Sequence, residues 1–239
     1  MISKPIQGLL FDFDGVISSV MARVIWPFFR AIKNVKPDIK REYLMERYYL
    51  ATQQLLATDK IKPLYVPILV AKMLNVDQLN YFQKLRFLIQ SLVMYSKSKL
   101  NVVPQEGAQE TLKALREEYK MGLVTTAERK VIDIAREKIP ALNDFDVIIT
   151  REDCTQTKPN PEGLIKGIKG LGLHRDEILY IGDLPSDIIA SQRAKIKVVS
   201  VMGEFKETAR RGIEELNPNY IIPMLKDLPD LLKTINGKK

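Results

Sequence analysis

The chain has 239 residues, a formal net charge of +8, one cysteine and one histidine. That length suits one large domain or a core with a smaller insertion, and Cys154 alone excludes an intramolecular disulfide and any multi-cysteine metal site. With His174 the only imidazole, histidine triads and zinc clusters are excluded too. Both residues read as bystanders: Glu152 and Asp153 discourage a thiolate at Cys154, and His174 sits in a loop after Gly170-Leu171-Gly172. No apolar run reaches the length of a membrane span, and Met1-Ile2-Ser3-Lys4 leads straight into an acid-bearing apolar run. A cytoplasmic protein without a cleaved signal peptide is the expectation.

The first element is the apolar run Ile6 to Phe13, which reads as a central parallel strand with Asp12 and Asp14 emerging at its carboxyl end on one face. Two carboxylates this close repel unless a cation lies between them or one is protonated. Hard oxygen donors of this kind suit Mg²⁺. From Ser18 to Lys99 the composition then changes: 14 Lys and Arg stand against 5 Asp and Glu, no glycine occurs, and 11 of the 18 aromatics gather there. The whole positive excess lies in that segment, which is expected to be a separate unit. Its apolar positions recur at three and four residues, as in Tyr81, Leu85, Leu88, Ile89, Leu92 and Val93, so it reads as all-helical. Helices are expected near 18–33, 38–57, 63–74 and 77–96, the second started by Pro37 and Asp38 and the fourth capped by Asp77.

After residue 100 short apolar runs alternate with amphipathic stretches. Strands are expected at 120–125, 145–149, 177–182 and 197–202, and helices near 105–118, 128–138, 161–170, 185–194, 206–215 and 224–234. The fold class is therefore α/β: a doubly wound parallel sheet, residues 1–17 and 100–239, with an inserted all-helical cap, 18–99. Ligands bind at the carboxyl ends of strands in such sheets. Asp12, Thr125, Lys158 and Asp183 all fall at strand ends or in the loops after them.

Four fragments in chain order carry the chemistry: Asp12-Phe13-Asp14-Gly15-Val16, then Thr125-Thr126 after an apolar run, then Lys158-Pro159, then Gly182-Asp183-Leu184-Pro185-Ser186-Asp187. Together they resemble the haloacid dehalogenase-like superfamily, in the phosphoglycolate phosphatase and beta-phosphoglucomutase-like group with a helical cap. The resemblance implies an Mg²⁺-dependent phosphatase in which Asp12 attacks phosphorus to give an aspartyl phosphate. It assigns Asp14 to protonating the leaving oxygen and then activating water, and gives Mg²⁺ to Asp12, Asp183 and the backbone carbonyl of Asp14. Asp187 joins the metal set, better placed to orient the ligands than to bind. Lys158 would neutralise phosphoryl charge, and Thr125 with the amides around Gly15 would hydrogen-bond the phosphoryl group.

Two departures bear on substrate. Thr126 stands where many relatives have Asn, and Ile17-Ser18-Ser19 replaces the usual step into the cap. Arg23, Arg30, Arg41 and Arg47 are candidates for gripping a second anionic group, because a guanidinium binds carboxylate or phosphate bidentately. The expected partner is a small anionic phosphorylated metabolite, with nucleic acid disfavoured. A sugar-phosphate mutase using the same aspartyl phosphate is the enzymatic alternative. A non-catalytic protein binding nucleic acid or an acidic partner through its basic cap is the alternative of another class.

Overall fold

The computed structural model describes residues 4–44, 47, 79–98, 100–205, 210 and 212–237. Among the described residues six strands form one sheet: β1 (Gly8–Phe11), β2 (Lys120–Val124), β3 (Val147–Ile149), β4 (Ile178–Gly182), β5 (Lys197–Val201) and β6 (Tyr220–Ile222). They lie in the order β3-β2-β1-β4-β5-β6, and every pairing is parallel. Chain order reverses direction between β1 and β4, so the crevice that a doubly wound sheet opens at its switch point lies above these two strands. Phe11 pairs with Leu123 on one side and Ile181 on the other. The residues that follow, Asp12 and Asp183, are thereby brought together.

Alternation along the strands divides the core into two layers. Leu9, Phe11, Met121, Leu123, Leu179 and Ile181 face one way. They pack beneath α3 (Ala108–Arg116), α4 (Arg129–Lys138) and α7 (Leu228–Ile235). Leu10, Val124, Tyr180 and Val198 face the other way, beneath α5 (Glu162–Leu171) and α6 (Pro185–Ala194). Glycine makes the second layer tight: a Cβ on Gly167 of α5 would press on Val124 and Leu10. Among the described residues no helix is long and apolar enough to cross a membrane.

In the inserted segment a π-helical turn, Met21–Ile25, runs into α1 (Trp26–Val35), and α2 (Tyr81–Ser98) returns alongside it. The expected helices at 18–33 and 77–96 correspond to these. Those at 38–57 and 63–74 lie mostly outside the described residues, with helix recorded at 41–44 and 47. The stripe whose three- and four-residue spacing marked this helix is not its packed face, since Tyr81, Leu85, Ile89, Leu92 and Val93 are exposed. The face toward α1 carries Phe87 and Ser91, with Met94 and Tyr95 partly buried and Tyr95 stacked on Phe28 at 5.6 Å. A helix apolar on two sides does not announce which side its neighbour will cover.

The root of the insertion is a pair of antiparallel chain segments joined by an isolated bridge. Ser19 N donates to Val103 O at 2.8 Å, Gln105 N to Ile17 O at 2.8 Å, and Ser18 bridges Pro104. Of the later elements, β6 was not anticipated, and the expected helix at 224–234 begins as a tight turn, Leu225–Asp227, before α7. The expected helix at 206–215 is seen at 210 and 212–214, its other first-half residues lying outside the described set.

Candidate active site

Asp12 leaves β1 with its amide donated to Ile181 O at 2.8 Å, so its position is fixed by the ladder it continues. The strand itself stops at Phe11, and the alternation expected to carry Asp12 and Asp14 to one partner stops with it. Instead Ile17 and Ser18 both donate to Phe13 O, and Gly15 takes a φ of 82°. In that turn Asp12 faces the core while Asp14 faces the insertion. Gly15 is required twice over. Its φ favours glycine, and a Cβ there would fall inside the carboxylate of Asp183. Of the loop amides expected to meet the phosphoryl group, that of Gly15 donates to Ser18 O at 2.7 Å in this structure. Gly15 itself makes room for Asp183.

Lys158 joins the two halves of the sheet. Its Nζ lies 2.8 Å from Asp12 Oδ1, 2.7 Å from Asp187 Oδ1 and 2.9 Å from the Tyr180 hydroxyl. The loop that delivers it is stapled by Glu162, which accepts from Thr155 N, Thr155 Oγ1 and Gln156 N, and by Arg193, which donates to Pro159 O at 3.1 Å. Asp187 stands in the first turn of α6, where a carboxylate caps the amides of the preceding loop. Its Oδ2 accepts from Asp183 N at 3.2 Å and Leu184 N at 2.9 Å, and its Oδ1 from Tyr180 at 2.8 Å as well as Lys158. Both oxygens are thus doubly engaged. Tyr180 was missed by sequence reasoning because it sits within the apolar run of β4. The available signal was a phenol in a strand otherwise aliphatic, since a buried hydroxyl needs a partner.

Asp12, Asp183 and Asp187 each bring an oxygen within 4.8 Å of the others, and all three are buried. Burial pushes the Asp12 carboxyl up to about 7, with the Asp187 charge adding and Lys158 opposing. Asp183 is pushed well above the carboxylate range by burial, then by Asp187 and Asp12. For Lys158 burial acts downward, but the charges of Asp12 and Asp187 outweigh it and raise the ammonium's pKa. Ionising all three carboxylates against one ammonium would leave the dry site two positive charges short, which is the strain that holds Asp12 and Asp183 toward their protonated forms. Asp183 Oδ1 is buried with no hydrogen-bond partner. An orphaned hard oxygen beside the Asp12 carboxylate, in a pocket whose acids can ionise together only with added positive charge, fits a small divalent cation such as Mg²⁺.

Thr125 ends β2, and its Oγ1 accepts from Ala127 N at 3.0 Å, which leaves its proton to donate. Thr126 is exposed and lines a small recess with Thr125, Arg151 and Lys158. Of the four arginines, Arg23 alone reaches a site carboxylate: Nε donates to Asp14 Oδ1 at 2.9 Å and Nη2 pairs with Oδ2. Arg41 lies over the Trp26 ring at 4.7 Å. Arg30 is exposed on a cleft of about 630 Å³ shared with Trp26, Met94 and Lys97, none of whose lining residues is a site carboxylate. Arg47 is half-buried, and among the described residues the ion pairs of the site carboxylates are with Arg23 and Lys158. Cys154 is half-buried and its thiol is pushed up by burial, as a bystander would be; His174 is exposed at the turn Arg175–Glu177.

A parallel sheet in this order with acids from β1 and β4 and a lysine between them defines a hydrolase class, and the sequence profile of the haloacid dehalogenase-like hydrolases matches residues 9–201. The chain belongs to that family. It is similar to the pyrophosphatase PpaX of Bacillus mycoides (strain KBAB4), 34% identical over 133 residues, 55% of this chain and 61% of that protein. With PpaX of Bacillus cereus (strain AH820) it shares 28% over 236 residues, 97% and 98% of the two chains. Among solved structures, a predicted phosphoglycolate phosphatase from Haemophilus somnus 129PT superposes with a TM-score of 0.66 at 18% identity, covering 95% of this chain and 97% of that one. The HAD-hydrolase YfnB of Bacillus subtilis, bound to magnesium, gives 0.68 at 18% identity, covering 96% and 99%. The chain is an enzyme, of the phosphatase kind within this family.

Proposed function

We propose that the protein is an Mg²⁺-dependent phosphatase that cleaves a small phosphate anion through an aspartyl phosphate on Asp12. The observation that carries this reading is the convergence on one buried point of Asp12, Lys158 and the unpartnered oxygen of Asp183. Asp12, Asp183 and the carbonyl of Asp14 are the groups assigned to hold Mg²⁺. When bound there, the ion supplies the positive charge that lets both carboxylates ionise together and offsets that of the phosphoryl oxygens. Asp187, with both oxygens engaged, is assigned to bracing Lys158 and the Asp183 loop.

The residues divide the chemistry as follows. An Asp12 oxygen attacks phosphorus as the bond to the leaving oxygen breaks, and Asp14 gives that oxygen its proton. Asp14 then takes a proton from water, which attacks the phosphoryl group, releases phosphate and restores Asp12. Lys158 and the Thr125 hydroxyl hold the transferring oxygens in line. The insertion, 18–99, is assigned as a cap over this opening, hinged at 17–19 and 103–105. Similarity to pyrophosphatases makes inorganic pyrophosphate the first substrate to try, ahead of phosphoglycolate.

Phosphate release should be assayed on both substrates and on p-nitrophenyl phosphate, with Mg²⁺ and with a chelator. Release that requires Mg²⁺ is expected. Turnover resistant to the chelator would overturn the metal assignment, and no release from any phosphate ester or anhydride would overturn the phosphatase reading.

A further inference from the structure

Arg23 is the one side chain of the insertion that closes on a site carboxylate among the described residues. It is 6% exposed, while the Asp14 side chain is 20% exposed. The turn that carries it is anchored from two directions. Ser98 Oγ donates to the Arg23 carbonyl at 3.0 Å, so the returning helix α2 holds its backbone. Glu204, in the loop after β5, accepts from Ser19 Oγ at 2.7 Å and from Met21 N at 3.2 Å, so the core holds the start of the turn. The guanidinium is therefore aimed by its backbone, and a π-helical turn at this place is the kind of local irregularity often found at functional sites.

What it is aimed at has a consequence for Asp14. A guanidinium fork that meets both oxygens of a carboxylate occupies the lone pairs through which that carboxylate would approach a leaving oxygen or a water. The same fork fits a phosphate or a second carboxylate equally well. Exchanging one anion for another keeps the Nε and Nη2 edge of Arg23 filled, whereas removing Asp14 with nothing in its place leaves the buried donors of that edge unfilled.

We propose that Arg23 is a positioning residue that makes a second anionic group the trigger for turnover. In the state described it holds Asp14; a substrate carrying an additional anion beside the scissile phosphorus, such as a diphosphate, takes over the guanidinium and releases Asp14 to the leaving oxygen. A monophosphate with a neutral tail has nothing to offer Arg23, and Asp14 stays held. This inference rests on the phosphatase reading and adds to it a substrate class and the residue that selects it.

Steady-state kinetics of the wild type, Arg23→Ala and Arg23→Lys on pyrophosphate and on p-nitrophenyl phosphate test it. The wild type should favour pyrophosphate in kcat/KM by at least about tenfold, although the aryl ester has the better leaving group. Arg23→Ala should reverse the order: kcat/KM for pyrophosphate falls at least about tenfold, mainly through KM, while kcat on the aryl ester rises severalfold. Lysine keeps the charge without the fork and should fall between. A fall on both substrates alike would reduce Arg23 to a structural role, and no change on either would make the ion pair a bystander; each overturns the proposal. If neither variant folds, the wild-type preference decides alone, and equal efficiency on the two substrates overturns it. A wild type inactive on both would instead bring down the phosphatase reading and this inference with it.

Discussion

Lys158 and Arg23 are both buried cations facing site carboxylates, yet they are held in different ways. Lys158 is enclosed by Asp12, Asp187 and Tyr180, and Asp187 is in turn fixed by two amides of the loop that carries Asp183. Arg23 meets Asp14 from an inserted element, across a junction of two antiparallel chain segments. In the core, each group is positioned by the others. At the insertion, a single carboxylate faces the guanidinium from the core, beside the hydrogen bonds of Glu204 to Ser19 and Met21 that hold the start of the turn.

The comparison breaks most directly at Lys158. Lys158→Met leaves Asp12 and Asp187 without their counter-charge, and chemical denaturation of the metal-free protein should show a loss of about 3–5 kcal/mol, with turnover abolished. Arg23→Met should cost less than half of that, because Asp14 can turn toward solvent. Equal losses would mean that the two cations are held alike.

Asp12→Asn should lower turnover at least about a thousandfold, equivalent to about 4 kcal/mol of barrier, while leaving the melting temperature of the metal-free protein unchanged or higher. The amide removes a charge that burial disfavours. The same fact sets a pH dependence. Asp12 titrates near 7 in the fold against 3.8 for its ordinary value, so its proton favours the folded state. That stability is fully present below about pH 4 and is lost as pH rises through about 7. Metal-free protein should therefore melt lower at pH 8 than at pH 5, and Mg²⁺ should raise the melting temperature more at pH 8. A metal-free melting point that climbs between pH 5 and 8 would contradict the assignment.

A subtler change is Gly15→Ala, which removes no titrating group. The added Cβ collides with the Asp183 carboxylate and meets a φ of 82°, so the Mg²⁺ concentration for half-maximal activity should rise about tenfold. An unaltered Mg²⁺ requirement would remove Asp183 from the metal set. The smallest effect is expected from Tyr180→Phe. It deletes one hydroxyl from the Lys158 and Asp187 network, and should cost about 1 kcal/mol of stability and a few-fold in kcat. A loss as large as that of Lys158→Met would show that Tyr180, not the lysine, organises the core half.

Much of this site was legible in the residues alone. Acids placed directly after apolar runs, as Asp12 and Asp183 are, must lie at strand ends, and a parallel sheet gathers strand ends along one edge. The alternation of short apolar runs with amphipathic stretches likewise determined five of the six strands and the two-layered wrapping. The sixth, Tyr220–Ile222, is three residues long at the edge of the sheet and carries too little pattern to be seen. Tertiary structure alone decided that Asp14 turns to Arg23, that Tyr180 bonds Lys158 and Asp187, that Glu204 holds the start of the inserted turn, and that α2 packs through Phe87 and Ser91. The physical reason is range. Periodicity and spacing report which way a side chain leaves its own backbone, whereas a partner as distant in the chain as Glu204 is from Ser19 is chosen only when the fold brings the two within a hydrogen bond.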